Sequence, residues 1–195
     1  MNIHISSTKN TRNILPDSMR FVRSDVPTGI SSEDIKWLTD SNIRTIVDLR
    51  EDKERAQKPC PLADDTDFEY ICLPVTGGNG IPESPDKVPV SYLNMIDEQL
   101  IHIIDVIENA ETNVLYFCNA GKDRTGVVYA ILLKRQGFDD EYIIEDYMKS
   151  TDNLKDMLKA FAANNSDVDI NVITPHREYM KNFLRNCDEL INQYI

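Results

Sequence analysis

The residues best suited to chemistry lie in one short stretch, which reads CNAGKDRT from Cys118 to Thr125. Its cysteine and Arg124 enclose five residues, and apolar segments flank the stretch on both sides. A cysteine attacks as its thiolate, and a guanidinium matches phosphate oxygens with a fork of N–H donors. The spacing therefore indicates a site where the Cys118 sulfur faces an anion, such as a phosphate, that Arg124 holds.

The flanking segments predict how these groups are positioned. Residues 114–117 form an apolar run typical of a buried strand, and residues 125–136 form an almost wholly apolar run typical of a buried helix. Amides of a tight turn at a helix N-terminus bind anions and, together with cations, favour a thiolate. We therefore predict that Cys118 is ionised near neutral pH and faces a cradle of amides, which come from Asn119, Ala120, Gly121, Lys122, Asp123 and Arg124.

The string CNAGKDRTG resembles the signature loop of the cysteine-dependent protein tyrosine phosphatase superfamily. It is most similar to the loop of bacterial tyrosine and phosphoinositide phosphatases related to dual-specificity enzymes. The segments RTIVDLR (44–50), ER (54–55) and 23–34 also look like that family. The resemblance covers roughly residues 19–135, whereas residues after about 150 resemble the family only in being helical.

Hydrophobic periodicity predicts a layered α/β domain, and the resemblance implies the protein tyrosine phosphatase type of that fold. We predict one domain spanning residues 1–195, with a central, mostly parallel sheet of four to five strands flanked by helices and a helical C-terminal part from about 150 to 195. Strands are predicted at 19–23, 45–49, 68–73 and 114–117, and helices at 29–42 (capped by Ser31 or Ser32), 90–109, 125–136, 140–149, 153–163 and 175–193. The Gly- and Pro-rich residues 76–89 are predicted to form a loop, a candidate lid.

The resemblance implies a role for each residue of the loop. Cys118 forms a phosphocysteine, Arg124 stabilises the equatorial oxygens, and the Thr125 hydroxyl assists the sulfur as it leaves. The alternative for Thr125 is simple helix capping. Lys122 implies a substrate with more than one phosphate, and its alternative is a solvent-exposed lysine.

The resemblance leaves two candidates for the general acid, which protonates the leaving group. Conventional dual-specificity enzymes use an aspartate about 30 residues before the cysteine, and Asp86 fits that spacing. The bacterial subfamily points to Asp123, inside the signature, which we favour. Asp97 falls on a helical pattern and is interpreted as surface charge.

The sequence departs from the family immediately before the cysteine, where Phe117 replaces the usual histidine. An aromatic ring fills the space but cannot donate the histidine's hydrogen bond. Upstream, Asp48 and Arg50 follow a predicted strand, and we interpret them as a structural salt bridge rather than as substrate contacts.

Composition excludes several other classes. The net charge of −12 disfavours nucleic acids and stable association with anionic membranes, and we find neither a membrane-spanning run nor an export signal. We expect a cytoplasmic protein that needs no metal or cofactor. His4, His102 and His176 are isolated, and Cys60, Cys72 and Cys187 are expected to be inert thiols. A Cys72–Cys118 disulfide is the less favoured alternative.

These observations predict a phosphate-monoester hydrolase, in the first place a protein tyrosine or dual-specificity phosphatase. The alternative is a phosphoinositide or inositol-phosphate phosphatase. A second alternative, supported only by Phe117, is an inactive module that binds phosphate. The expected partners are a phosphotyrosine protein or a phosphorylated inositol, with phosphate, sulfate or vanadate as site ligands.

Overall fold

The computed structural model describes residues 5–78 and 80–194, so His4 lies outside the described residues. The described part contains a sheet of five strands, β1 (Arg12–Leu15), β2 (Ser18–Asp25), β3 (Ile43–Asp48), β4 (Glu69–Cys72) and β5 (Asn113–Cys118). The strand order is β1-β2-β5-β3-β4. Only β1 pairs antiparallel, with β2, and the other pairings are parallel. The predicted α/β class with a mostly parallel sheet is confirmed.

Parallel strands buried on both faces explain why the predicted strands are apolar runs. Val22 on β2, Ile46 on β3 and Leu115 on β5 have no exposed surface and share one core cluster with Leu38 and Phe117. The helices lie between β2 and β5 along the chain and after β5. They are α1 (Ser32–Asp40), α2 (Asp52–Gln57), α3 (Val88–Leu93), α4 (Glu98–Asn109), α5 (Asp123–Arg135), α6 (Asp140–Asn153), α7 (Lys155–Asn164), α8 (Ile170–Ile173) and α9 (Arg177–Ile191).

The chain divides into two compact units. The first comprises Met1–Val75 and Ile103–Thr125, and it contains the whole sheet with α1 and α2. The second comprises Thr76–His102 and Gly126–Ile195. Its core forms where α3 and α6 meet α9: the Tyr92 and Tyr147 hydroxyls lie 2.8 Å apart, and Tyr92 packs edge-on against Phe183. The single domain predicted for residues 1–195 stays a prediction.

The prediction of one continuous helix over 90–109 is wrong, because the chain forms two helices there, α3 and α4. Asp97 lies between them, and its carboxylate accepts a hydrogen bond from the Leu100 amide at 2.8 Å. A carboxylate that binds the third amide of a helix starts a new helix at that point. Asp97 is therefore a helix cap rather than a surface charge within one long helix.

Three elements were not predicted: β1, α2 and α8. The 76–89 loop also contains a short 3-10 turn at Pro85–Lys87, and residue 79 lies outside the described part. Helix α1 is shorter than predicted because Ser31 and Asp34 form a capping box that fixes its first turn at Ser32.

Candidate active site

The signature loop, residues 118–125, connects the end of β5 to the first turn of α5. Cys118 is the last residue of its strand and is only 3% exposed. The Leu49 amide donates to the Phe117 carbonyl at 2.9 Å, and the Val26 amide donates to the Asn119 carbonyl at 3.3 Å. The chain that follows β3 and the chain that follows β2 therefore both hold the start of the loop.

Gly121 makes the turn possible. Its φ is +62°, and a Cβ at this position would lie 2.3 Å from the Ser24 carbonyl oxygen. Both the positive φ and the close approach exclude larger residues. The loop consequently runs directly against the backbone at the end of β2.

Helix α2 supplies a carboxylate to the loop. The Glu54 oxygens accept two hydrogen bonds from the terminal nitrogens of Arg124, each at 2.6 Å, and a third from the Asn119 side-chain amide at 2.6 Å. Partial burial opposes ionisation of Glu54, but these hydrogen bonds outweigh it, so the pKa of Glu54 lies below its ordinary value. Burial likewise opposes the charge of Arg124, yet Glu54 raises the pKa of that guanidinium. Both groups of the pair are therefore ionised, with opposite charges.

This pairing leaves much of the guanidinium available. A guanidinium carries five N–H groups, and Glu54 uses one on each terminal nitrogen. The remaining N–H groups include that of Nε, which together with a terminal nitrogen matches two oxygens of a phosphate. Glu54 thus orients Arg124 without consuming its capacity to bind an anion.

Lys122 is buried, with a side chain only 5% exposed, and its Nζ lies 3.2 Å from an Asp123 carboxylate oxygen. The alternative of a solvent-exposed lysine is therefore wrong. Asp123 begins α5, and its side chain is 41% exposed. The loop thus places a buried ammonium and a solvent-accessible carboxylate side by side, within the same turn as Arg124.

Thr125 has a fully buried hydroxyl that makes no hydrogen bond within the described part of the chain. The alternative of helix capping is therefore wrong. Buried hydroxyls almost always have a partner, so one that lacks a partner beside a ligand site points to a group that is engaged during binding or reaction.

Asp86 lies in the second unit, exposed on the Pro85–Lys87 turn. It accepts a hydrogen bond from the Ser84 hydroxyl at 2.7 Å, and that bond lowers the pKa of Asp86. A general acid at neutral pH benefits from a raised pKa instead. The residues of the signature loop, from Cys118 to Thr125, all belong to the first unit.

Phe117 is fully buried, and the Arg50 guanidinium lies over its ring at 5.4 Å. Arg50 forms two hydrogen bonds to the Asp48 carboxylate, at 2.8 and 2.6 Å, which confirms the predicted salt bridge. The Tyr70 hydroxyl donates to the same carboxylate at 2.5 Å. A buried charge network thus packs beside the residue that replaces the family's histidine.

The remaining cysteines are free thiols. Burial raises the pKa of Cys60 to about 11 and that of Cys187 to about 12, and partial burial raises the pKa of Cys72. Cys72 is on β4 and Cys118 on β5, with β3 between them. Two strand spacings are about 10 Å, too far for the roughly 7 Å that a disulfide allows between Cα atoms. The Cys72–Cys118 disulfide is therefore excluded in this arrangement.

The two histidines within the described residues, His102 and His176, belong to the second unit. His102 is exposed on α4, and His176 precedes α9 and packs edge-on against Tyr179. Among residues 5–78 and 80–194, no group of three or more His, Cys, Asp or Glu side chains is arranged to hold a metal ion.

Cys118 and Arg124 share one turn between a parallel strand and a helix, which is the arrangement that the sequence predicted. Residues 6–194 match the sequence profile of the tyrosine phosphatase family, and the chain belongs to that family. In the described part of the chain, every helix is too short or too polar to cross a membrane.

Known proteins give the same assignment. The chain is similar to a tyrosine-protein phosphatase of Nostoc commune, with 28% identity over 145 residues, covering 69% of this chain and 49% of the relative. It is 39% identical over 57 residues to the triple specificity protein phosphatase PtpB of Mycobacterium tuberculosis, covering 29% of this chain and 21% of that protein. The chain therefore spans about half the length, or less, of these curated relatives.

A solved structure shows the same fold. The core catalytic domain of a PP-IP phosphatase from S. cerevisiae, in complex with citrate, superposes with a TM-score of 0.51 and 17% identity. The match covers 85% of this chain and 98% of that domain. The likeness extends over nearly the whole catalytic core, in agreement with the predicted fold class.

Proposed function

We propose that the protein hydrolyses phosphate monoesters through a phosphocysteine at Cys118, as a protein tyrosine or dual-specificity phosphatase. The observation that carries the proposal is the signature loop itself: a buried cysteine at a strand end, a glycine turn with positive φ, and Arg124 oriented by Glu54 at a helix start. Membership of the tyrosine phosphatase family supports it.

In the first step, the Cys118 thiolate attacks phosphorus in line with the ester oxygen. The S–P bond forms, the P–O bond to the leaving group breaks, and the leaving oxygen receives a proton from the general acid. Arg124 and the amides of residues 119–124 stabilise the charge on the three remaining oxygens in the transition state.

In the second step, water attacks phosphorus and the S–P bond breaks. The electron pair returns to sulfur, and the water's proton passes to the carboxylate that acted as the acid. Thr125 supports this step, because its buried and unpartnered hydroxyl is available to donate to the departing thiolate.

We propose Asp123 as the general acid, since it lies in the loop and solvent reaches its carboxylate. The test compares Asp123→Asn with Asp86→Asn across phenyl phosphates whose leaving groups differ in pKa. The acid's variant loses most with poor leaving groups. Equal and small losses in both variants would mean that neither residue is the acid.

The second candidate function is hydrolysis of inositol phosphates or phosphoinositides. The buried Lys122 supports it, because it places an ammonium beside Asp123 in the same turn as Arg124, where a second phosphate would find a cationic partner. The S. cerevisiae relative of similar fold is a PP-IP phosphatase that was solved with the polyanion citrate. A panel that compares a phosphotyrosine peptide with soluble inositol phosphates separates the two, by the ratio of kcat/KM values.

The proposed hydrolysis also has a direct test against the inactive-module alternative. The wild type is expected to hydrolyse p-nitrophenyl phosphate, and Cys118→Ser is expected to have no measurable turnover while it still binds phosphate. A wild type that binds vanadate without turnover would support the module. Full activity in Cys118→Ser would overturn the phosphocysteine mechanism.

We further propose a cytoplasmic location, supported by the four free thiols, which suit a reducing compartment. The proposed partners are phosphorylated proteins or inositols, with phosphate, sulfate and vanadate as ligands of the loop. The net charge of −12 argues against stable docking on anionic membranes.

A further inference from the structure

Two buried side chains from the N-terminal part of the chain bind the carbonyl groups of the signature loop. Asn10, which is fully buried, donates from its side-chain amide to the Ala120 carbonyl at 3.2 Å and to the Gly121 carbonyl at 2.9 Å. Arg23, also fully buried, donates to the same Gly121 carbonyl at 2.8 Å. We propose that Asn10 and Arg23 are positioning residues that turn the loop's amides toward the bound oxyanion.

The argument rests on the geometry of the peptide bond. In a trans peptide the C=O and the following N–H point in opposite directions. Holding the carbonyls of Ala120 and Gly121 against Asn10 and Arg23 therefore directs the amides of Gly121 and Lys122 to the other side of the loop. Without these donors, the two carbonyls would gain by rotating toward solvent, and the amides would rotate with them.

The position of Asn10 is itself fixed. The buried Asp25 carboxylate accepts hydrogen bonds from two backbone N–H groups, that of Asn10 at 2.8 Å and that of Lys9 at 3.0 Å. Burial opposes ionisation of this carboxylate and raises its pKa, while the backbone hydrogen bonds act in the other direction. Asp25 on β2 is the register partner of Cys118 on β5. The anchor of Asn10 therefore lies on the strand beside the nucleophile.

The side-chain amide of Asn10 is also oriented by a neighbour. Arg12 donates to its Oδ1 at 2.6 Å, which leaves the NH₂ group for the loop carbonyls. Asn10→Asp therefore keeps the size of the side chain and its contact with Arg12. It replaces the donor by an oxygen that repels the carbonyls of Ala120 and Gly121.

The chain offers a matched control in Asn13. Its side-chain amide also donates to two carbonyls, those of Leu15 at 2.7 Å and Ser18 at 3.2 Å, which are the last residue of β1 and the first of β2. Asn13→Asp makes the same chemical change and adds the same charge, but it leaves the signature loop untouched. Arg23→Lys is the independent second variant, since it keeps the charge and loses the planar fork.

The proposal rests on the proposed function, and its test uses binding as well as turnover. We expect Asn10→Asp to raise the dissociation constant for inorganic phosphate, measured by calorimetry, at least tenfold, and to raise KM for p-nitrophenyl phosphate similarly. Arg23→Lys is expected to produce a smaller loss of the same kind. Asn13→Asp is expected to stay within twofold of the wild type, and thermal unfolding checks that all variants are folded.

The outcomes separate the two proposals. A wild type that binds phosphate but hydrolyses nothing would contradict the proposed function, while a weakened phosphate affinity in Asn10→Asp would still support the positioning role. Phosphate affinity in a folded Asn10→Asp equal to that of Asn13→Asp would overturn that role. A wild type that binds no phosphate would overturn it as well.

Discussion

The two units of the protein use polar groups in different ways. Ten of the twelve buried polar or charged residues within the described part belong to the first unit, including Arg23, Asp48, Arg50 and Lys122. The second unit buries Asp146 and Ser150, and its prominent ion pairs, such as Arg177 with Glu141 and Glu145, are exposed.

This difference shows which unit needs polar groups in fixed positions. Buried charges are costly unless they are paired and hydrogen-bonded, and replacing them by apolar residues is often neutral or stabilising. The first unit nevertheless retains several buried polar or charged side chains at the signature loop, including Asn10, Arg23 and Lys122, where an oxyanion requires donors in fixed positions. Among its described residues the second unit has no such loop, and its core is built mainly from aromatic and aliphatic side chains.

The largest expected effect concerns Arg124, which is compared with Arg177, an arginine of the second unit that is also ion-paired. Arg124→Lys is expected to lower kcat/KM for p-nitrophenyl phosphate by about 10³- to 10⁴-fold, because an ammonium has three N–H groups and no planar fork, so it cannot donate two hydrogen bonds to Glu54 and two to phosphate at once. Arg177→Lys, the matched change in the second unit, is expected to leave kcat/KM unchanged. A comparable loss in both variants would remove the functional contrast between the units.

The next effect concerns stability. Asp48→Asn leaves the buried Arg50 without its counter-charge and is expected to reduce the free energy of unfolding by about 3–5 kcal/mol. Tyr147→Phe removes one partner of a neutral hydroxyl pair in the second unit and is expected to cost about 1–2 kcal/mol. Urea titration measures both, and equal costs would mean that the two cores tolerate polar loss alike.

Glu54→Gln distinguishes two uses of the carboxylate. If Glu54 orients Arg124, removal of its charge is expected to lower kcat/KM about 10- to 100-fold, by loosening a partly buried pair. Asp52→Asn, which alters an exposed partner of Arg55 on the same helix, is the control. Faster turnover in Glu54→Gln would show instead that the carboxylate competes with substrate for the guanidinium.

The smallest effect compares two aspartates at helix N-termini: Asp34, the third residue of α1 and the partner of the N-cap Ser31, and Asp139, the N-cap of α6. Asp34 is buried, but hydrogen bonds from Ser6 and Ser31 outweigh that burial and lower its pKa to about 2. A lowered pKa contributes stability above the unfolded value near 4, and this contribution is lost as the pH falls toward 2. Asp34→Asn is therefore expected to cost about 1 kcal/mol at pH 6 and less at pH 3.

Asp139, the N-cap of α6, is the aspartate of the second unit that is compared with Asp34. It accepts one hydrogen bond, from the Tyr142 amide at 2.7 Å, and is exposed. Asp139→Asn is expected to change stability by only a few tenths of a kcal/mol, since asparagine is an equally good cap. Thermal unfolding at pH 6 and pH 3 measures both variants, and a pH-independent cost in Asp34→Asn would contradict the prediction.

The sequence was sufficient for the elements that bury a regular apolar face. The four predicted strands correspond to β2, β3, β4 and β5, and the helix that follows Cys118 forms as its apolar run indicates. Strand β1 was missed because it has four residues, of which only Ile14 is buried. Helix α2 was missed because none of its residues is buried, so it has no hydrophobic periodicity to detect.

The candidate site shows the same division between local and long-range information. The spacing of Cys118 and Arg124 is local and was visible in the sequence. The roles of Glu54 and Asn10 depend on contacts 70 and 111 residues away along the chain, which no periodicity encodes. The burial of Lys122 was equally hidden, because lysine is almost always exposed and only the closed loop reverses that preference.

The raised pKa values of Cys60, Cys72 and Cys187 have a practical consequence for covalent labelling. Alkylating reagents react with thiolates, and burial keeps Cys60 and Cys187 in the thiol form at neutral pH, with the Cys72 equilibrium shifted the same way. Cys60 and Cys187 therefore contribute little background to labelling, whereas Cys72 is exposed and has to be replaced first. In a Cys72→Ser variant, incorporation of one iodoacetamide group per molecule, blocked by added phosphate, would report on Cys118.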